Sequence, residues 1–131
     1  MSQENVEAYR QGFAAVARGD AEAAAQGYDA GVVLRTDPIW PGGPFYGADA
    51  VRRFNEDLIA TLGPVQLVIE ELTDAGDRVI ARVHVRYQGT QSGAEGDLRF
   101  THVATYRDGK VILMDNFLDH AQALEAVGLR E

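Results

Sequence analysis

"GDLRFTHVATYRDGKVILMDNFL", residues 96–118, repeats its pattern every two residues. Leu98, Phe100, His102, Ala104 and Tyr106 fall on one face, and Arg99, Thr101, Val103, Thr105 and Arg107 on the other, as in a half-buried strand. Asp108-Gly109 supplies a two-residue hairpin turn, because both positions tolerate positive φ. The chain then returns with Met114, Asn116 and Leu118 on one face and Leu113, Asp115 and Phe117 on the other. Two earlier stretches share this period: "VQLVIEELT" (65–73) and "RVIARVHVRYQG" (78–89). With "DAGD" and "TQSGA" as connections, residues 65–118 read as four consecutive antiparallel strands.

Upstream the period is 3.6. Val6, Tyr9, Phe13 and Val16 form the apolar stripe of a helix over about residues 3–18, ended by Gly19. Asp20 is placed to cap a short alanine-rich helix, "AEAAAQGY", and "GVVLRT" (31–36) follows as the first strand. Val51, Phe54, Leu58, Ile59 and Leu62 share a second helical face, with Asp49 as its cap and Gly63-Pro64 as its stop. At the other end, "HAQALEAVG" predicts a short helix with Ala121, Leu124 and Val127 on its docking face. Helices followed by a long meander describe an α+β fold: a cone-shaped α+β barrel whose curved, mainly antiparallel sheet wraps the N-terminal helices around an internal apolar cavity. The 131 residues, 46% of them hydrophobic, suffice for a single domain over 1–131.

Twenty acidic residues against twelve basic ones give a formal charge of -8, which repels phosphate backbones and anionic lipid headgroups. No nucleic acid and no membrane is therefore expected as a partner. The absence of cysteine excludes disulfides, thiolate nucleophiles and thiolate-bound zinc. The three histidines lack metal-ligand spacing, no glycine-rich phosphate loop opens a helix, and no nucleophile elbow is present. The expectation is a protein with neither metal nor cofactor. "MSQENVEAYR" lacks the basic and apolar blocks of a secretion signal, so a cytoplasmic location is expected.

His102 is the polar residue on the apolar face of its strand. A buried imidazole needs a hydrogen-bond partner. It is then either a core histidine satisfied from within or a donor at a site. On the preceding strand His84 falls opposite Val79, Ala81, Val83, Val85 and Tyr87, on an outer face whose apolar content predicts a homodimer formed through it. The other break is "RTDPIWPGGPFYG" (35–47), where Asp37, Trp40 and Tyr46 stand among three prolines. If Arg35 shares a face with Asp37, the two pair; if Arg35 points outward, Asp37 enters apolar surroundings that suit a general base. Either way the segment reads as a stiff flap over a pocket entrance or as a loop capping the core.

"RGDAEAAAQGYDAGVVLRTDP", "FYGADAVRRF", "DAGDRVIARV" and "HVATYRDGKVILMDNFLD", in this order, resemble the nuclear transport factor 2-like superfamily in its SnoaL-like and ketosteroid-isomerase-like branch. The resemblance covers nearly the whole chain. It implies the barrel described above and a range of activities from isomerases, cyclases, dehydratases and epoxide hydrolases to proteins without chemistry. Asp37-Pro38 matches the Asp-Pro pair whose aspartate moves the proton in the isomerases. The oxyanion-hole aspartate of those enzymes corresponds to His102, their first-helix tyrosine falls near Gly12, Tyr28 retains a supporting tyrosine, and Asn55 replaces another. The aspartates that flank an arginine in the epoxide hydrolases are replaced by His84 and Asn116. The SnoaL-like cyclases, which use an aspartate with His or Asn neighbours to take a proton next to a carbonyl, are the nearest pattern.

The resulting expectation is proton transfer on an apolar, carbonyl-bearing small molecule in an isomerase, cyclase or lyase reaction. Asp37 is the base and His102 the donor or acid, with Asn55, Asn116 or Tyr46 assisting. Tyr9, Phe13, Tyr28, Trp40, Phe54, Phe100, Met114 and Leu118 complete the expected binding wall. Two other readings stay open: a non-catalytic binding protein for a lipophilic ligand, and a protein-interaction module using the outer sheet face.

Overall fold

The computed structural model describes residues 2–37, 43–62, 65–88, 95–126 and 128. Helix α1 runs over Ser2–Ala17 and α2 over Ala21–Ala25, followed by strand β1 at Tyr28–Arg35. A two-residue strand β2, Phe45–Tyr46, leads into helix α3 at Ala48–Leu62. Strands β3 (Val65–Ala75), β4 (Arg78–Gln88), β5 (Glu95–Arg107) and β6 (Lys110–Phe117) form the meander, and helix α4 spans His120–Ala126. The expected Gly63-Pro64 stop, the "TQSGA" loop and Val127 lie outside the described residues.

The six strands make one curved, unclosed sheet in the order β2-β1-β6-β5-β4-β3. All neighbours are antiparallel except β1 and β6, which run parallel. Irregular pairing interrupts β3 between Ile69 and Glu71, β1 between Tyr28 and Val33, and β5 between Thr105 and Tyr106. Such bulges bend and twist a strand, which helps the sheet curl around the helices. Asp108 and Gly109 at the β5–β6 turn take φ of 53° and 78°, the positive values that the hairpin requires.

Several sequence boundaries move. Asp20 caps α2, its carboxylate accepting from Ala23 N–H at 3.0 Å, but the helix stops at Ala25 and Tyr28 already belongs to β1. Gly47, at φ 90°, precedes α3, so Asp49 lies inside the first turn, where it binds Arg52 and does not cap the helix. In α4 the buried residue is Ala123, with Leu124 beside it, and Ala121 is exposed.

The main core lies between the helices and the concave face. Val79, Ala81, Val83 and Val85 of β4, Val32 and Leu34 of β1, Ala104 and Tyr106 of β5, Tyr9 of α1 and Val51 of α3 pack there. A smaller core joins α4 to the outer face through Ile80, Val103 and Ala123. That helix covers part of the apolar surface that the sequence assigned to a subunit contact.

Candidate functional site

Between α1, α2, α3 and the concave face is a cavity of about 370 Å³. Small residues leave room among the bulky ones on its wall: Ala8 and Gly12 of α1, Ala24 of α2, and Gly27 before β1. A Cβ placed on Gly12 would meet nothing within 4 Å. Most of the remaining wall is apolar, including Val32, Leu34, Leu58, Ile59, Leu67 and Val85.

Asp37 and His102 border this one cavity. His102 reaches it by the alternation of β5. Its Nδ1 lies 2.7 Å from the Tyr9 hydroxyl, and its ring stacks at a tilt on Phe100, with centroids 4.6 Å apart. Desolvation lowers the His102 pKa to about 4, so the imidazole is neutral at pH 7. Burial raises the pKa of Tyr9 well above the ordinary phenol value, with the neighbouring Tyr106 and Tyr28 adding to the effect. The Tyr9–His102 bond therefore joins two neutral groups.

Asp37 follows the end of β1, and its Oδ2 accepts the backbone N–H of Leu118 at 3.1 Å. This bond continues the β1–β6 pairing beyond both strands and holds the carboxylate next to the end of β6. Arg35 does not share its direction. It is the register partner of Asp115 on β6, and its guanidinium binds that carboxylate through two hydrogen bonds, one of 2.8 Å, on the outer face. Of the two arrangements that the sequence allowed, the outward one occurs.

Tyr28 and Asn55, both on the wall, bind each other: Asn55 Nδ2 donates to the Tyr28 hydroxyl at 2.9 Å. Burial raises the Tyr28 pKa, opposed by that hydrogen bond. Asn116, the cross-strand register partner of His102, also lines the cavity, and its Oδ1 is buried without a hydrogen-bond partner among the described residues. Phe13, Phe54, Met114 and Leu118 complete the set of sequence-predicted residues on the wall.

One described residue of the predicted wall, Tyr46, is not among them. Tyr46 is 69% exposed. It follows Phe45 on a two-residue strand, and Phe45 takes the inward position against Phe54, with ring centroids 4.8 Å apart, so alternation turns Tyr46 out. Trp40 lies outside the described residues, as does Pro38. Conversely, Tyr106 and Thr36 lie on the wall but were not among the expected site residues. Tyr106 shares the His102 face in a strict alternation, so its position was readable. The Tyr9–His102 bond spans 93 residues and carried no local signal.

Among the described residues no cluster of three or more His, Cys, Asp or Glu side chains could hold a metal ion, and no helix is long and apolar enough to cross a membrane.

Comparison with known proteins matches the SnoaL-like domain family to residues 9–114. The fold is similar to that of TerC crystallised with polyporic acid, at 25% identity and a TM-score of 0.76, covering 93% of this chain and 96% of that one. It is also similar to a candidate SnoaL-like polyketide cyclase from a Jannaschia species, at 22% identity and a TM-score of 0.78 over 88% and 85% of the two chains. A third similar structure, with a ketosteroid isomerase-like fold, comes from Catenulispora acidiphila in complex with trimethylamine; it is 15% identical with a TM-score of 0.77 over 94% and 93%. No curated protein matches the sequence.

Proposed function

The chain belongs to the SnoaL-like domain family, and from that premise we propose that it is a small-molecule enzyme removing a proton next to a carbonyl group, with Asp37 as base and His102 as donor to the carbonyl oxygen. The observation that carries this reading is that both side chains border one largely apolar cavity. A cavity of about 370 Å³ lies at the low end of the ~300–1,000 Å³ of small-molecule sites. The co-crystallisation of the similar TerC with polyporic acid supports a small organic ligand.

The chemistry follows from the protonation states. In this reading the Tyr9 hydroxyl, 2.7 Å from Nδ1 of a neutral His102, is the donor, and the ring proton sits on Nε2. Nε2–H then donates to the carbonyl oxygen as negative charge develops there. Asp37 takes the proton from the adjacent carbon, the C–H electrons form the C=C bond of the enolate, and the carbonyl π pair moves to oxygen. Leu118 N–H fixes the carboxylate while this occurs. Return of the proton to another carbon gives an isomerase; attack of the enolate on a second carbonyl gives a cyclase; expulsion of a β substituent gives a lyase. Replacing Asp37 by Asn tests the assignment: turnover is lost while ligand affinity persists, whereas loss of both together contradicts it.

A non-catalytic binding protein for a lipophilic molecule is the second reading. The apolar wall and the mutual pairing of Tyr28 and Asn55 favour it. It requires that Asp37 and His102 can both be replaced with affinity retained and no product from any enolisable ligand. A homodimer through the outer sheet face belongs to the same proposal. Val68, 43% exposed opposite His84, supports it, and sedimentation at several concentrations tests it.

A further inference from the structure

Tyr106 on β5 and Tyr28 on β1 are both register partners of Val111 on β6, so the three side chains stand in one row across the concave face. Two strand spacings, roughly 10 Å, separate the tyrosine Cα atoms, and the curl of the sheet tilts both rings toward the space above Val111. All three residues line the cavity. Tyr28 accepts from Asn55 Nδ2, which leaves its own O–H to donate. Tyr106 is only 6% exposed, and its hydroxyl has no hydrogen-bond partner among the described residues. Unlike His84 Nε2 and Asn116 Oδ1, which are sealed, the Tyr106 oxygen keeps accessible surface, and the cavity is what it faces. Burial raises the pKa of both phenols, and each acts on the other's side of the row as a neutral O–H donor at pH 7.

The row lies at the opposite end of the cavity from Asp37. Asp37 is held by Leu118, just past the end of β6, whereas Val111 is near the start of that strand. His102 precedes Tyr106 by four residues, roughly 13 Å along β5, with Ala104 as the one inward residue between them. A buried donor left without an acceptor loses its hydration and gains nothing in return. The group that satisfies it is a neutral acceptor: the described wall holds Asp37 and Asp97 but no lysine or arginine, so an anion would be desolvated without a counter-charge.

We propose that Tyr106 and Tyr28 form a second polar subsite, which holds a neutral carbonyl oxygen at the end of the ligand remote from Asp37. The ligand class is then an elongated molecule with an oxygen at each end and an apolar body between them. This rests on the reading of the cavity as a small-molecule site, and it stands whether or not Asp37 moves a proton.

The test compares two probes by isothermal titration: deoxybenzoin with an acetyl group at the para position of its benzyl ring, and the analogue with isopropyl there, similar in shape but without the second oxygen. The wild-type protein is expected to bind the acetyl probe about tenfold or more tightly. Tyr106→Phe keeps the ring and removes the O–H, so it should weaken the acetyl probe about tenfold and the isopropyl probe by less than about twofold. Its thermal unfolding should match that of the wild type, because the hydroxyl has no partner in the chain to lose. Tyr28→Phe should weaken the acetyl probe with the same selectivity. Equal affinity of the wild type for the two probes overturns the inference, as does an acetyl preference that survives Tyr106→Phe or an equal weakening of both probes by that variant. If equal affinity is accompanied by Asp37-dependent uptake of solvent deuterium into the probes, the inference alone has failed and the proton-transfer reading stands. Binding of neither probe overturns the small-molecule reading as well.

Discussion

The hydroxyl of Tyr9 on the first helix lies 2.7 Å from Nδ1 of His102 on the fifth strand, and Tyr9 itself is only 4% exposed. This one bond ties the helical lid to the floor of the cavity and decides which nitrogen of His102 remains for a ligand. Removing the hydroxyl leaves Nδ1 without its partner.

Tyr9→Phe is therefore expected to lower folding stability by about 1–3 kcal/mol, the cost of an unsatisfied buried group. It also releases the tautomer. ¹⁵N chemical shifts of His102 should move from an Nε2–H pattern toward a mixture of the two forms, with turnover reduced. An unchanged shift pattern would mean that something other than Tyr9 sets the tautomer.

His102 gives a pH dependence with a definite sign. Its pKa is about 4 in the folded chain against 6.5 in the unfolded one. Between those values the unfolded chain binds more protons, so stability rises with pH across the window, is fully present above the unfolded value and declines as pH falls toward 4. The loss approaches roughly 3 kcal/mol at the acid end. Urea unfolding between pH 4 and 7 checks it: His102→Phe should flatten the slope in this window, and a titration of the His102 ring near its ordinary value would contradict it.

Arg35→Met removes a pair that is half in water, since the Arg35 side chain is 57% exposed. The expected cost is at most about 1 kcal/mol. Because Arg35 binds Asp115 and stands apart from the cavity, the variant should leave ligand affinity and turnover within the error of the wild type. A change in the pH profile of turnover would mean that Arg35 influences Asp37 after all.

Gly12 sits inside α1 with open space before it. Gly12→Leu should stabilise the helix by about 0.5–1 kcal/mol while filling part of the cavity. Affinity for a ring-bearing ketone should then fall about tenfold or more, equivalent to 1.4 kcal/mol or more. Thermal denaturation and titration of the same variant should thus move in opposite directions.

The parts of this arrangement differ in how they are written in the sequence. Strands β3 to β6 are legible from their alternation, but the alternation does not by itself place Asn116 beside His102: strict pairing from the Asp108-Gly109 turn would oppose His102 to Asp115, and the irregularity at Thr105/Tyr106 shifts the register by one residue. Tyr28 and Asn55 reach the wall by the family resemblance, but their bond to each other is a tertiary fact. The partner of Arg35 was not readable, because it depends on the parallel pairing of β1 with β6, some 80 residues away. Tyr46 was misplaced for the opposite reason: a two-residue strand is too short to reveal a period, and only the packing of Phe45 on Phe54 fixes which residue faces inward. The apolar outer face reads in the sequence as a subunit contact, whereas α4 covers part of it from within the chain.

The most direct test of the account is solvent deuterium uptake, followed by NMR, at the carbon next to the carbonyl of benzoin and deoxybenzoin, for wild type and Asp37→Asn. The account predicts uptake by the wild type and a rate at least about a hundredfold lower for the variant, within the range by which a positioned base accelerates proton transfer, with affinity unchanged. Equal rates in the two proteins, or no uptake by a wild type that binds the ketones, would contradict Asp37 as the base.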